Sequence, residues 1–239
     1  MHTDAARLGR AGLISGVLLD AIDGLSTSEQ PVTVLDCGGG SGAYAVPLAA
    51  AGADVTVVDI SADALATLSR RAAESGVAER VHPLPGDVEA LSAVVGPRRC
   101  DVALAPGILE SVDDVETAFT SIVATIRPGG LLSVLVSNPV ASVIGRALAG
   151  EPALALLELR DLDGEQRVSP HRVEQLCAAA GLTVSARHGV GVFSDLVPGV
   201  ALDAPGARAA VAQLDAEAAG RAPFADIAGR VHLLARRPE

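Results

Sequence analysis

The sequence predicts an α/β fold: a Rossmann-like, doubly wound sheet of seven strands, mostly parallel, with one antiparallel C-terminal strand. Three observations carry this. Strand-like and helix-like segments alternate from Val32 to Ser137, which calls for a parallel sheet with right-handed crossovers. The strand segments, such as Val55–Val58 and Leu131–Val136, are nearly continuous apolar runs, as in strands buried on both faces. A glycine-rich loop directly follows the first of them and opens a helix.

Taken in order, residues 4–24 show helical spacing in Leu8, Leu13, Ile14, Val17, Leu18 and Ile22. Val32–Leu35, Asp54–Val58, Val81–Pro85, Asp101–Ala105 and Leu131–Ser137 are the expected first five strands. A helix near Ala43–Ala51 follows the glycine loop. Ser61 caps the next, which Gly76 closes. Asp113 or Asp114 starts a helix that ends at the turn Arg127-Pro128-Gly129-Gly130. Pro139–Asp163 breaks the alternation and reads as a helical insert with a polar loop at Asp161–Arg167. Ser169-Pro170 begins a helix, with proline in its first turn. Two last strands, Leu182–Phe193 and Ile227–Ala235, flank a helix at Ala207–Gly220 and form a hairpin-like pair. The chain reads as a single domain over 1–239, with an N-terminal helical cap at 1–30 and an insert at 139–168 near the substrate site.

Composition narrows the function. Trp is absent, Tyr occurs once and Phe three times, so Val, Leu, Ile and Ala must fill the core. The formal net charge is −11 and the chain has no Lys, which disfavours phosphate backbones. Cys37, Cys100 and Cys177 form no CxxC pair, so buried thiols are expected and no metal site. The first residues lack the pattern of a signal peptide, and no apolar run approaches membrane-spanning length. A cytoplasmic protein with no membrane partner is the expectation.

The loop Asp36-Cys37-Gly38-Gly39-Gly40-Ser41-Gly42 lets the chain turn tightly and lets a ligand approach the backbone. Gly38, Gly40 and Ala43 also satisfy a dinucleotide pattern, so the loop alone leaves the nucleotide open. Asp36 tips the balance, because its carboxylate would repel a pyrophosphate yet attract a sulfonium and an ammonium. Asp59, at the end of the second strand, can accept from both ribose hydroxyls, which suits either ligand. Asp87 can accept from an adenine amine, with the Val88 N–H at the ring edge; a helix cap is the competing role.

The order of these motifs resembles that of class I, S-adenosylmethionine-dependent methyltransferases. The glycine loop, Asp59, Asp87 and the Arg127–Gly130 turn match over roughly residues 32–138. The resemblance implies S-adenosyl-L-methionine as cofactor, bound by Asp36, Gly38, Gly39, Gly40, Gly42, Asp59, Ile60, Asp87, Val88 and Pro106. A nearer resemblance is to the tRNA methyltransferases that esterify a carboxymethoxy group on a wobble uridine. It rests on Leu109-Glu110, Asn138, the helical insert to Gly150, Gly189–Phe193 and the strand from Ile227 to Arg236. It implies Glu110 and Asn138 at the substrate; Arg146 and Tyr44 are further candidates there, Tyr44 with the methionine end of the cofactor and plain packing of its helix as competing roles. The chain departs from that family at Pro106, Ser111 and Gly191, where those enzymes carry histidine, tryptophan and arginine. It departs again at Asp161–Glu165, where they carry lysines. Lacking those cations and aromatics, it keeps tRNA only as a weakened partner beside a small-molecule or modified-nucleoside acceptor.

Ala105-Pro106-Gly107 is not the motif used on exocyclic amines of bases, so an oxygen acceptor, carboxylate or hydroxyl, is expected. A carboxylate is already ionised and needs no general base; a hydroxyl would need one. His171 is the single candidate base. His82, His188 and His232 lie in or beside strands and read as structural. Arg146, Arg160 and Arg167 could pair with an anionic acceptor, and Arg10 with the cofactor carboxylate. A non-catalytic nucleoside-binding module and an NAD-dependent oxidoreductase are the alternatives, the latter without a readable Tyr-x-x-x-Lys.

Overall fold

The computed structural model describes residues 2–25, 30–95, 100–162, 164 and 167–239, with side chains from residue 12 onward. Its elements run α1 (His2–Asp23), β1 (Thr33–Cys37), α2 (Ala45–Ala50), β2 (Asp54–Asp59), α3 (Ala62–Glu74), β3 (Val81–Pro85), α4 (Leu91–Val94) and β4 (Cys100–Pro106). They continue with α5 (Val115–Thr125), β5 (Ile126–Ser137), α6 (Pro139–Leu148), α7 (Pro152–Arg160), α8 (Pro170–Ala179), β6 (Thr183–Val190), α9 (Ala207–Ala218) and β7 (Arg230–Arg236).

The seven strands form one sheet in the order β3-β2-β1-β4-β5-β7-β6, with β7 antiparallel to both neighbours. Alternation along each strand divides the core in two. Leu35 and Cys37 of β1 face the layer built by α4, α5 and α8, where Leu91, Phe119, Ile122, Val173 and Cys177 pack. Val34 faces the other layer, where Ile14, Leu18 and Ile22 of α1 join Leu48 of α2 and Leu68 of α3. Both faces being covered is why the strands carry so few polar residues. Strand order reverses between β1 and β4, which opens a crevice at their carboxyl ends.

Local signals place the helices. Ser61 Oγ accepts from the Ala64 N–H at 3.2 Å, and Asp114 Oδ1 from the Thr117 N–H at 3.0 Å. Asn138 and Ser169 cap α6 and α8, each followed by proline in the first turn. All three cysteines are buried and free.

The structure departs from the sequence reading in three places. The expected turn at Arg127–Gly130 is instead an irregularity inside β5, whose pairing with β4 shifts between Cys100 and Val102. The C-terminal segment holds it there: the Arg237 N–H donates to the Gly130 carbonyl at 2.9 Å, and Arg127 pairs with Asp101. β6 ends at Val190, three residues early, because Gly191 takes φ +75° and turns the chain. A short 3-10 turn, Phe224–Ile227, delays β7 to Arg230. Part of the expected polar loop at 161–167 and the side chain of Arg10 lie outside the described residues.

Candidate cofactor and acceptor site

The glycine loop leaves β1 at the crevice beside β4. Its first residue is tied to the neighbouring strand, the Gly38 N–H donating to the Val58 carbonyl at 2.7 Å. Asp59 then organises the loop from the end of β2: its Oδ2 accepts from the Gly40 N–H at 2.9 Å, its Oδ1 from the Ser61 N–H at 2.8 Å. A carboxylate offers about four acceptor positions, so two remain.

The loop glycines have different reasons to lack a side chain. A Cβ on Gly38 would meet Ile108 Cδ1 at 2.6 Å, one on Gly39 the Asp36 carboxylate, and one on Gly42 the Leu68 side chain. Those three are glycines because the protein itself fills the space. Gly40, at φ +54°, has no protein atom nearer to its Cβ position than Asp59 Oδ2 at 3.8 Å. Among the described residues nothing else lies within 4 Å of that position.

Asp36 lies beneath this loop with 0 % exposure, and among the described residues neither carboxylate oxygen has a hydrogen-bond partner. Burial, and secondarily the charge of Asp59, pushes its carboxyl up to about 7. A buried carboxylate without donors is costly unless a cation compensates it.

At the rim, Ile60 is 80 % exposed while Val88 is buried. Asp87 caps the 3-10 turn at Val88–Ala90, its Oδ1 accepting from the Glu89 N–H at 2.9 Å; it therefore fills the capping role. Pro106 ends β4, and Gly107 follows at φ +79° with its N–H on the Leu135 carbonyl at 2.8 Å. Tyr44 is half-buried at the start of α2 and packs against the α1 layer.

The expected acceptor residues divide. Glu110 accepts from both the backbone N–H and the hydroxyl of Ser137, fastening the β4 loop to the end of β5. Asn138 is 5 % exposed and donates to the carbonyls of Asp226 (2.8 Å) and Ala228 (2.9 Å), while its Oδ1 accepts from the Val140 N–H. Its amide has no donor left for a substrate, so it is a strut that fixes the entry to β7. Arg146 is spent on Glu151 and Glu158, and Arg167 approaches Asp161 at 3.8 Å. His171 is exposed and faces Gln175 one turn along α8. His232 is fully buried between Ser133 (2.8 Å) and His188 (3.2 Å), within the sheet. Sequence reasoning missed Ile108 and Arg230, because contacts across strands bring them to the crevice.

A doubly wound sheet of this order, with a glycine loop after β1 and a loop-binding carboxylate after β2, defines the class I methyltransferase architecture. Residues 34–130 match the family model for a methyltransferase domain. The chain belongs to the class I, S-adenosylmethionine-dependent methyltransferase family. It is 34 % identical over 167 residues to a ubiquinone biosynthesis O-methyltransferase of Sinorhizobium medicae, covering 68 % of this chain and 66 % of that protein. The chain thus spans just under two thirds of that relative. It is 26 % identical over 219 residues to the tRNA 5-carboxymethoxyuridine methyltransferase of Escherichia coli, covering 88 % of this chain and 82 % of that one. Among solved structures, the [4+2]-cyclase SpnF shares the fold at a TM-score of 0.60 and 21 % identity, covering 92 % of this chain and 80 % of that chain. Nothing in these comparisons supports an NAD-dependent oxidoreductase or a non-catalytic module. Among the described residues no cluster of metal-ligating side chains occurs, and no helix is long and apolar enough to cross a membrane.

Proposed function

We propose that this protein transfers a methyl group from S-adenosylmethionine to an oxygen, carboxylate or hydroxyl, of a small molecule or modified nucleoside. The observation that carries the reading is the carboxylate of Asp36, without a partner among the described residues, beneath a loop whose Gly40 has only Asp59 Oδ2, at 3.8 Å, near its Cβ position. The residues present fit the cofactor. Asp36 supplies the negative charge a sulfonium and an ammonium call for. Gly40 gives the backbone approach, Gly38, Gly39 and Gly42 let the loop pack tightly enough to present it, and Asp59 keeps two acceptor positions for ribose hydroxyls. Ile60 offers apolar surface to the adenine, with the Val88 N–H at the ring edge and the second oxygen of Asp87 for its amine. Pro106 and Tyr44 border the methionine end. S-adenosylmethionine supplies a methyl group activated by its sulfonium and transferred by in-line displacement. The chain's work is to hold the acceptor in line and exclude water. In this reading α1 caps the crevice and the α6–α7 insert flanks the acceptor. The charge of −11 and the absence of Lys favour a small acceptor over tRNA.

Calorimetric titration with S-adenosylhomocysteine, and with NAD in parallel, tests the cofactor assignment. Binding of the first alone is expected; binding of NAD alone would sink it. Transfer of labelled methyl from S-adenosylmethionine to carboxylic acids, phenols and tRNA then ranks the acceptors. Asp59→Ala removes the anchor of the Gly40 N–H as well as the ribose acceptor. It is expected to weaken S-adenosylhomocysteine by roughly tenfold to a hundredfold, the equivalent of one or two charge-assisted hydrogen bonds. An unchanged dissociation constant would release Asp59 from the site.

A further inference from the structure

We propose that Arg230 is the anion-binding group of the acceptor pocket, pairing with a carboxylate carried by the acceptor; this rests on the methyl-transfer reading above. Arg230 opens β7, opposite Ser137 at the end of β5. Its guanidinium reaches across β5 to the exit of β4, where Nη1 lies 3.7 Å from the Cβ position of Gly107. The next residue, Ile108, stands against Gly38 of the glycine loop. The cation therefore sits at the carboxyl edge of the sheet, across Gly107 and Ile108 from the proposed cofactor loop.

This guanidinium has no protein partner among the described residues, which sets it apart. The other half-buried arginines are all engaged. Arg71 holds the Ser41 carbonyl, Arg167 approaches Asp161, Arg172 pairs with Glu116, and Arg237 holds the carbonyls of Val123 and Ile126. The carboxylates near Arg230 are committed elsewhere. Glu110 is held by Ser137, Asp226 pairs with Arg187 at 2.6 Å, and Asp195 lies against Gly191 and Gly229 with an interaction of its own. A guanidinium stays charged at any working pH, so a half-buried, unpaired one is a standing attraction for an anion, best met by a bidentate carboxylate.

The neighbouring residues hold it in place. Asn138 ties down the carbonyls of Asp226 and Ala228, and its N–H donates to the Gly229 carbonyl at 3.1 Å, just before Arg230. Glu110 braces Ser137 directly across from it. Both are positioning residues in this scheme: they fix the strand ends between which the guanidinium projects.

The test uses the full chain saturated with S-adenosylhomocysteine and titrated with phenylacetate, or with its uncharged counterpart phenylacetamide. The parent is expected to bind the acid at millimolar concentration, roughly tenfold or more better than the amide. Arg230→Gln should erase that preference and Arg230→Lys restore part of it, with S-adenosylhomocysteine affinity unchanged in both. Equal acid binding by Arg230→Gln, or no preference in the parent, overturns the proposal. So does a loss of S-adenosylhomocysteine affinity in Arg230→Gln, which would assign the guanidinium to the cofactor's own carboxylate. Failure of the parent to bind S-adenosylhomocysteine at all would instead strike the methyl-transfer reading.

Discussion

Gly40→Val is expected to leave a folded protein that no longer binds S-adenosylhomocysteine. Among the described residues the substitution meets nothing nearer to its Cβ than Asp59 Oδ2 at 3.8 Å, so the core does not resist it. Its cost to the fold is the φ of +54°, which a β-branched residue adopts only with strain of about 1–2 kcal/mol. That corresponds to a fall in Tm of about 2–8 °C for a chain of this size. The same side chain stands where the proposed ligand meets the loop, and affinity should fall roughly a hundredfold or more. Gly39→Ala, a smaller change, should be the more destabilising of the two, because its methyl collides with the Asp36 carboxylate and with Val57 Cγ1 at 2.8 Å. The ranking reverses what side-chain volume predicts. Thermal unfolding and calorimetry on both variants check it; a folded Gly40→Val with parental affinity would remove the loop from the cofactor site.

The sequence shows five of these glycines and serines as one motif, and it cannot distinguish their reasons. The distinction for Gly38 depends on Ile108, and that for Gly42 on Leu68; both contacts exist only once the sheet and helix have packed. What was legible is what local chemistry encodes. Apolar runs gave the strands, and Ser61, Ser169 and one of Asp113 and Asp114 gave the caps; that Asp59 also holds the Gly40 N–H at 2.9 Å is visible only in the fold. What was not legible depends on partners far along the chain. Asn138, after the fifth strand, is placed at the substrate by the resemblance to the wobble-uridine methyltransferases. Its partners lie 88 and 90 residues on, and they turn it into a strut. The Arg127–Gly130 segment reads as a free turn because nothing nearby says that Arg237 will pair with it. Arg230 is silent in sequence for the same reason: its neighbours Gly107 and Ser137 belong to other strands.

Asp36→Asn is expected to move stability and cofactor affinity in opposite directions. With its carboxyl raised to about 7 by burial, Asp36 favours the folded state in its protonated form. That contribution is complete below the ordinary value of 3.8 and drains away as pH rises to about 7. The span amounts to roughly 4 kcal/mol at most. Asparagine cannot ionise, so the variant should gain on the parent through that window and hold its lead above it. Its buried amide costs about 1–3 kcal/mol for want of partners, but equally at every pH, so the slope of the difference survives. His188 and His232 titrate in the opposite sense. Burial lowers both, His232 to about 3, so each withdraws stability as pH falls below 6.5. Both histidines are present in parent and variant, and their contribution cancels in the difference. The readout is therefore the gap in Tm between the two proteins at about pH 5 and at about pH 8. S-adenosylmethionine brings two cations to the same place, and they attract the ionised form of Asp36. The parent's affinity should rise with pH and level off above about 7, while that of the variant stays flat and roughly tenfold or more lower at the upper end. A Tm gap that ignores pH would show that Asp36 ionises freely in the fold. An unaltered affinity for S-adenosylmethionine would show that its charge is not what the cofactor meets.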